Sequence, residues 1–447
     1  MTLSSDVERR FATNGTLADA PASNGATSPA RLLFINQHYW PDFAATGQHL
    51  TDLCEHLAAE GHDVHVLCSR GRYQSGQMDA PKREIHNGVT IRRLDATSFG
   101  RSTHAGRILD YASFYAQALW RVWREGPFDY VVTLTTPPLL CTGAWMLRRA
   151  VGQRYGIWSM DLHPEAEVAT GMLDDDGTLT RFLSMLNGAG YRGADFVVDL
   201  GRHMKRRLTE QGVERERMHT IPVWNKKDEV YPVPPDDNPL LSELGLEDKF
   251  VVMYSGNAGL VHRFNEVLGA MRRLNDHPDV HFLFVGGGPR REEIIDFVET
   301  HGVDNFQYLD YFPREDLHRS LSLADVHLLT LRQQAAGVAV PGKLYGIMAA
   351  GRPVMMVGPR ASEPAETITG EDIGRVVDPA DFANSEAGAE HLAGALRALC
   401  NGEEDGAAMG RRGREAFLET YEQEVACDQW ADLINQLSSH KTSVRHA

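Results

Sequence analysis

The feature that most constrains this chain is the repeated alternation of a short apolar segment with an amphipathic helical segment. The first such unit begins at Arg31 with RLLFINQHYW, which is typical of a strand that ends in a polar loop. Leu50, Leu53, Cys54 and Leu57 then recur at helical spacing, before a glycine and another apolar run. Strands that alternate with helices predict a parallel sheet with helices on both faces.

A second series of the same kind begins after a stretch rich in Pro and Asp that surrounds Pro232. Because domains usually contain about 100–200 residues, 447 residues are too many for one core. We therefore predict two doubly wound α/β domains, at residues 31–228 and 229–423. Residues 1–30 lack the apolar core of a secretory signal and are rich in small polar residues, which predicts a disordered tail.

The composition excludes several classes of function. A net charge of −16 disfavours nucleic acid as a partner, because phosphate backbones require a basic surface. The five cysteines are scattered and form no CxxC pair, which predicts reduced thiols in a cytoplasmic protein. No apolar run approaches the roughly 20 residues that span a bilayer.

Ligands of such sheets bind outside the carboxyl ends of the strands, so the strand-to-helix loops are the places to search. The loop SMDLHPEAEV places Asp161, His163 and Glu165 at the end of a strand. They are not spaced as metal ligands on one helix face, so we predict no metal there. A solvated loop is the alternative. The acidic run 174–176 is predicted to be an exposed turn.

Four other loops contain glycine. Gly47 follows the first strand and opens a helix, where backbone N–H groups favour a phosphate or sugar; a simple turn is the alternative. YSGNAGLVHRF offers a flexible backbone and a cation that suit a diphosphate, unless Arg263 is a surface charge. The glycines at 286–288 resemble a phosphate loop, but Pro289 after them favours the alternative, a structural turn at the start of a helix. Lys343, after Pro-Gly, is predicted to reach a phosphate, and Glu363 to bind sugar or ribose hydroxyls.

PGKLYGIMAA followed by GRPVMMVG resembles the donor-binding helix of the family 4 retaining glycosyltransferases, which have the GT-B fold. MDLHPE, IPVWN, YSGNAG, FVGGGP and ADVHLLTL occur in the expected order, so that the resemblance covers about residues 31–437. PGKLYGIMAAGRPV is most similar to the colanic-acid and O-antigen transferases described as L-fucosamine or fucosyl transferases. The resemblance implies two Rossmann-like domains that face each other across a cleft.

The resemblance also implies how the two domains divide the work. The C-terminal domain would bind a nucleotide-diphospho-sugar, the N-terminal domain would bind the acceptor, and a helix at about 424–437 would cross back to the first domain. Transfer would retain the anomeric configuration, with the leaving phosphate as base and without a metal or another cofactor. The residues assigned to the donor are Gly47, Gly256, Asn257, Arg263, Gly342, Lys343 and Glu363, and those assigned to catalysis are Asp161, His163 and Glu165.

The family pattern contains two acidic residues separated by seven residues, and this chain lacks both. Their positions correspond to Val338 and Gly346, neither of which is acidic, so hydroxyl contacts must come from elsewhere, with Glu363 as the candidate. In IPVWN, Val223 stands where related sequences usually have Asn. A GT-B sugar-nucleotide epimerase and a catalytically weak nucleotide-sugar-binding subunit are the alternative functions.

The acceptor implied by the resemblance is a glycan or a lipid-linked glycan of the cell surface. The segment 101–125 combines arginines with Phe114, Trp120 and Trp123 at helical spacing. Such a face predicts contact with the anionic inner surface of a membrane. A buried helix with a solvated arginine edge is the alternative.

Overall fold

The first unit of the fold contains eight strands and six helices in the part of the chain that is described. The computed structural model describes residues 29–42, 44–70, 80–95, 97 and 104–445. The predicted tail therefore lies outside the described residues, apart from its last two positions. The elements of this unit are β1 (Arg31–Ile35), α1 (Ala45–Ala59), β2 (Asp63–Ser69), β3 (Arg83–His86), β4 (Val89–Leu94), α2 (His104–Glu125), β5 (Tyr130–Thr133), α3 (Leu140–Val151), β6 (Tyr155–Trp158), α4 (Glu165–Ala169), α5 (Thr178–Gly193), β7 (Phe196–Asp199), α6 (Arg202–Glu210) and β8 (Met218–Thr220).

The described strands of this unit form one sheet in the order β3-β4-β2-β1-β5-β6-β7-β8. Neighbouring strands are parallel, except for the antiparallel edge hairpin of β3 and β4. Asn87 and Gly88 form its turn with φ angles of 45° and 81°, the left-handed region that two-residue hairpin turns require. This hairpin was not predicted from the sequence, although Asn-Gly between two short β-rich runs was a usable signal.

The second unit is built on a smaller sheet, which is parallel throughout its described strands, in the order β11-β10-β9-β12-β13-β14. Its elements, with the C-terminal helix, are α7 (Pro239–Leu244), β9 (Phe250–Ser255), α8 (Asn265–Arg273), β10 (Val280–Val285), α9 (Arg291–His301), β11 (Phe306–Leu309), α10 (Leu317–Leu321), β12 (Val326–Thr330), α11 (Lys343–Ala349), β13 (Val354–Val357), α12 (Glu363–Gly370), β14 (Gly374–Val377), α13 (Ser385–Cys400), α14 (Gly406–Ala416) and α15 (Gln423–Arg445). The predicted fold class, two doubly wound α/β domains, is confirmed.

The C-terminal helix α15 packs in the core of the first unit. Trp430 is fully buried, and its ring lies 5.0 Å from that of Trp158. The Tyr130 hydroxyl donates a hydrogen bond to the carbonyl oxygen of Leu437. The C-terminal helix thus connects the second unit back to the first. The domain boundary at 228/229 and the range 424–437 for the returning helix stay predictions.

Helix α2 presents its aromatic residues in two directions. Phe114 is buried in the core, whereas Trp120 and Trp123 are 45% and 63% exposed. Residues 101–103 of the predicted amphipathic segment lie outside the described residues. Within the described part of the chain, no helix has both the length and the apolar composition needed to cross a bilayer.

Candidate functional site between the two units

The predicted site loops converge where the two units meet. The backbone N–H of Leu162, after β6, donates to the carbonyl of Val338, which follows β12, at 2.9 Å. Arg207 Nε, on α6, donates to the carbonyl of Ala336 at 2.9 Å. Because these segments follow the carboxyl ends of parallel strands in both sheets, they lie where doubly wound folds bind ligands.

Lys343 lies against the loop that follows β9. Its Nζ donates to the Tyr254 hydroxyl at 2.7 Å and lies 4.0 Å from the centre of that ring. Gly256 has a φ of 121°, and a Cβ there would lie 3.4 Å from Nζ. Burial lowers the pKa of Lys343 to about 7. The structure thus brings Lys343, Gly342 and Gly256 together, as an anion site requires.

Two arginines bind the same carbonyl group in the loop that follows β9. The carbonyl oxygen of His262 accepts hydrogen bonds from Arg290 Nη1 and from Arg332 Nε. Burial, with Lys343 and Arg290 nearby, lowers the pKa of His262 to about 3, so the imidazole is neutral. Neither arginine was predicted from the sequence. Each comes shortly after a strand of the second sheet, β10 or β12, and that position was the available signal.

The glycines at 286–288 allow two loops to pack closely. A Cβ on Gly286 would lie 2.4 Å from the carbonyl oxygen of Gly256, and one on Gly288 would lie 2.4 Å from Asn257 Oδ1. Both glycines also have φ angles that favour glycine, 131° and 119°. These glycines thus support the loop that contains Asn257, in agreement with the structural interpretation of their sequence.

Arg263, which was assigned to the donor, is not placed with Lys343. Its guanidinium binds both carboxylate oxygens of Glu266, at 2.7 and 2.5 Å, and the Ser385 hydroxyl at 3.0 Å. Glu266 is fully buried. The side chain therefore connects α8 to α13. Arg290 and Arg332 instead bind the His262 carbonyl, and Arg290 also binds both carboxylate oxygens of Glu293.

Gly47 has a packing role that the sequence did not reveal. A Cβ at this position would lie 3.1 Å from the backbone carbon of His38, so only glycine lets α1 approach the loop after β1 this closely. Its N–H already donates to the carbonyl of Ala44 at 2.9 Å. Contact between this N–H and the sugar donor stays a prediction. It would require the N–H to leave its hydrogen bond with the Ala44 carbonyl.

The three residues assigned to catalysis point to different partners. His163 Nδ1 lies 2.9 Å from the carboxylate of Glu167, whereas Glu165 accepts from Gln211 Nε2 at 2.6 Å. Asp161 and His163 line a cavity of about 10 Å³, which has room for about one water molecule. Glu167 was missed, although its i+4 spacing from the histidine was a signal.

A larger cavity of about 720 Å³, between β14 and α13, contains none of the predicted site residues.

Burial and charge shift the titration of this loop. Desolvation would lower the pKa of His163, but the hydrogen bond and charge of Glu167, together with the other acids, raise it overall. Desolvation raises the pKa of Asp161, and His163 partly offsets the shift. Over the residues that the structure describes, no group of three or more His, Cys, Asp or Glu side chains is arranged to hold a metal ion.

Glu363 connects the two units and does not line an open donor site. Its carboxylate lies at the start of α6, where burial raises its pKa and the neighbouring Arg202 and His203 partly offset the shift. A Cβ on Gly201 would lie 2.3 Å from that carboxylate, so the contact depends on glycine. Glu366, on the same helix as Glu363, binds Arg202 Nη1 and His203 Nε2, each at 2.8 Å. Glu363 therefore packs against the start of a helix in the opposite unit.

We expect Gly201→Ala to displace the Glu363 carboxylate and loosen this contact without unfolding either unit, because the obstructing atoms belong to a flexible side chain. Small-angle scattering should show a larger radius of gyration, and the melting temperature should change little. Gly394→Ala is the matched control, since a Cβ there meets nothing within 4 Å. Identical scattering of Gly201→Ala and the wild type would contradict this role for the contact.

The positions of the two missing acids lie within the packing between the units. Val338 is buried, and a Cβ on Gly346 would lie 3.1 Å from Asn225 Nδ2 and 3.6 Å from Leu321. Any side chain at position 346 would therefore have to displace the Asn225 amide. The glycine at position 346 thus leaves room for the Asn225 side chain, and this contact was not apparent in the sequence.

Because the pKa of Lys343 lies near 7, we expect anion binding to depend on pH. An ammonium is needed to bind a diphosphate, and with a pKa near 7 the free lysine loses its proton above that pH. Affinity for a nucleoside diphosphate should be highest between about pH 6, below which its terminal phosphate takes up a proton, and pH 7, and should fall by up to about tenfold per pH unit above pH 7. Titration calorimetry of Lys343→Arg, which stays charged, should remove this dependence. The same slope in that variant would assign the effect to another group.

Two domain families match the chain. Residues 45–224 match the glycosyl transferase 4-like domain, and residues 240–416 match glycosyl transferases group 1. The first match falls on the eight-stranded unit and the second on the unit that contains Lys343.

Curated relatives are similar over most of their length. A probable glycosyltransferase of Pseudomonas aeruginosa, WbjE, is 27% identical over 70% of this chain and 75% of its own. A putative colanic acid biosynthesis glycosyl transferase of Escherichia coli K12, WcaI, is 26% identical over 72% of this chain and 81% of its own.

Solved structures have the same architecture. Sucrose-phosphate synthase from Thermosynechococcus elongatus matches with a TM-score of 0.71 and 18% identity, over 92% of this chain and 99% of its own. Anabaena HepE in complex with UDP and glucose matches with a TM-score of 0.67 and 13% identity, over 91% of this chain and 99% of its own. The chain has the GT-B fold and joins a glycosyl transferase 4-like domain to a group 1 domain, and it is a glycosyltransferase.

Proposed function

We propose that the chain is a retaining glycosyltransferase that moves a sugar from a nucleotide-diphospho-sugar to a glycan or lipid-linked acceptor in cell-surface polysaccharide biosynthesis. The observation that carries the proposal is the placement of Lys343 beside Gly256 and the Tyr254 hydroxyl, on the side of the second unit that meets the first. A lysine held in a glycine-bordered loop at the edge of a parallel sheet is suited to a phosphate.

The leaving group explains why a cation is needed at this point. When the bond between sugar and diphosphate breaks, the sugar becomes oxocarbenium-like and negative charge develops on the phosphate. Fixed donors that are aimed at this charge stabilise the transition state. Lys343 and Arg332 supply the positive charge, whereas Arg290, which shares the His262 carbonyl with Arg332, is paired with Glu293. In this proposal these side chains perform the task without a metal, and nucleotide-sugar is the substrate.

The loop of Asp161 and His163 would serve the acceptor or the donor sugar. It contacts the segment after β12 through an antiparallel bridge between Asp161 and Ala339, so it lies near the donor unit. The ion pair with Glu167 fixes the orientation of the His163 ring. In this proposal the histidine orients a sugar hydroxyl, and no enzyme nucleophile is required because the leaving phosphate takes the acceptor proton.

The similar proteins support the class of substrate. WcaI is described as a colanic acid biosynthesis glycosyl transferase, and HepE was solved with UDP and glucose. A hexose or deoxyhexose donor, including a fucosyl or L-fucosamine donor, is therefore the proposed range. The acceptor would be used on the cytoplasmic side of a membrane.

A donor screen tests the proposal. The chain is incubated with a panel of UDP- and GDP-sugars, with and without acceptor glycans, in buffers with and without EDTA. We expect release of the nucleoside diphosphate from one donor, insensitivity to EDTA, and a product whose anomeric configuration matches the donor by NMR. An inverted product would refute retention. An epimerised nucleotide-sugar, or nucleotide binding without any turnover, would instead support an epimerase or a binding subunit.

A further inference from the structure

Two segments carry the chain between the units, and Asn225 lies where they meet. One segment runs from β8 to α7, and the other runs from α14 to α15. The backbone N–H of Asn225 donates to the Tyr421 carbonyl at 3.1 Å, and its own carbonyl accepts from the N–H of Gln423 at 3.0 Å. Both backbone groups of Asn225 are therefore occupied, and pairing of the two segments fixes where its side chain begins.

The segment that contains Asn225 lies along one face of α11. A Cβ on Gly342, which caps the start of this helix, would lie 3.7 Å from Val223 Cγ2. A Cβ on Gly346 would lie 3.1 Å from Asn225 Nδ2. Positions 342 and 346 are about one turn apart, so both contacts are made on the same face of the helix. The Asn225 side chain thus reaches the helix that begins with Lys343.

The carboxamide of Asn225 has unused hydrogen-bonding capacity. Among the residues that the structure describes, it forms no hydrogen bond, and the residue is only partly exposed. A polar group that loses part of its hydration without a protein partner is stabilised by a ligand that supplies the hydrogen bonds. Gly342 and Lys343, at the start of the same helix, are partly exposed as well, so a ligand has access to this end of α11.

The spacing of the lysine and the amide along α11 suits a nucleoside diphosphate. Positions 343 and 346 are separated by about 4.5 Å along the helix axis. In the ligand, the ribose is attached directly to the diphosphate, and its 2′- and 3′-hydroxyls are adjacent to each other. A carboxamide has an N–H donor beside a carbonyl acceptor, so it can bind two adjacent hydroxyls at once. With Lys343 on the phosphate, the Asn225 side chain therefore has the chemistry that the ribose requires.

We propose that the Asn225 carboxamide binds the ribose hydroxyls of the nucleotide, so that the segment connecting the two units completes the donor site of the second unit. The inference rests on the proposed function, which makes a nucleotide-diphospho-sugar the substrate. Glu363, the candidate from the sequence for such contacts, packs against Gly201 in the opposite unit. Glycine at position 346 then has a direct purpose, because any side chain there would push the Asn225 amide away from its place.

Calorimetry of the full chain with sugar-free nucleotides tests the inference at about pH 6.5, where Lys343 is charged. UDP and GDP are compared with their 2′-deoxy and 3′-deoxy analogues and with inorganic pyrophosphate, which separates the ribose from the phosphates and from the transferred sugar. In the wild type, removal of either hydroxyl should weaken binding about three- to tenfold. Asn225→Ala should bind the parent nucleotide about tenfold more weakly, bind the deoxy analogues as well as the parent, and keep its affinity for pyrophosphate.

Two further variants separate ribose binding from a structural role of Asn225. Gly346→Ala should also reduce the preference for the parent nucleotide over its deoxy analogues, because the added Cβ would lie 3.1 Å from Asn225 Nδ2 and displace the amide. Lys227→Ala is the matched control. It removes an ion pair with Glu424 between the same two segments and should bind every ligand like the wild type. Melting curves show whether each variant is folded.

An equal penalty for the deoxy analogues in Asn225→Ala and in the wild type would overturn the inference and leave the proposed function standing. An equally large loss of pyrophosphate affinity would also overturn it, because the variant would then act through the packing of α11. If the wild type binds neither nucleotide, the proposed function and the inference are both refuted. Discrimination by Asn225 without sugar transfer from any donor would refute the proposed function alone.

Discussion

Lys343→Ala is expected to lower kcat by about 100- to 1,000-fold, the range found when one donor to a developing anion is removed. The lysine is the cation nearest Gly256 and the Tyr254 hydroxyl, and an alanine leaves the phosphate without its ammonium partner. The change is measured as donor turnover at saturating acceptor. Lys343 also binds the phosphate before reaction, so the affinity for the nucleoside diphosphate should fall together with kcat, as it does when the lysine loses its proton above pH 7.

Arg360→Ala is the matched control for this variant. Arg360 also follows a strand of the second sheet, but its guanidinium is 59% exposed and pairs with Asp381 at 2.8 Å. Its removal should change kcat by less than about twofold, since exposed ion pairs contribute about 0–1 kcal/mol. Similar kinetics for the two variants would refute the assignment of Lys343 to the leaving phosphate.

Arg263→Ala is expected to destabilise the second unit by about 3 kcal/mol. The substitution leaves the carboxylate of Glu266 buried without the guanidinium that binds both of its oxygens. Urea denaturation should therefore show a lower midpoint with an unchanged slope, while nucleotide affinity below the melting transition stays close to that of the wild type.

Two further variants separate this explanation from a direct role in donor binding. Arg263→Ala/Glu266→Gln should recover part of the lost stability, because the remaining buried group is then neutral. Arg272→Ala breaks an ion pair whose side chains are 44% and 56% exposed, and should change stability by less than about 1 kcal/mol. If Arg263→Ala instead loses nucleotide affinity and keeps its stability, Arg263 belongs to the donor site as first assigned.

The elements of the sheets were predictable because they depend on local periodicity. Helix α1 follows from the apolar positions 50, 53, 54 and 57, all of which are buried, and β9 follows from an apolar run before a glycine. The hairpin of β3 and β4 was missed because it is a short edge with alternating exposed residues. Its stability comes from pairing with β2, which the local pattern does not contain.

The site was predictable in outline for a topological reason. Loops that follow parallel strands share one edge, so Gly256 and Lys343 were expected to meet, and they do. Individual side chains were less predictable because their partners are distant in sequence. Arg263 turns to Ser385, 122 residues away, and His203 pairs with Glu366, 163 residues away.

The sequence by itself determined the α/β class, the two units and the loops in which the chemistry must lie, because strand and helix periods and glycine positions are local properties. Only the tertiary structure decided which charged groups remain available at the cleft. Arg263 is held by a buried carboxylate and Glu363 lies against the start of α6 across the interface, whereas Lys343 binds the Tyr254 hydroxyl and Arg332 the His262 carbonyl. The direction of a charged side chain depends on which partner compensates its desolvation, and that partner is supplied by the fold.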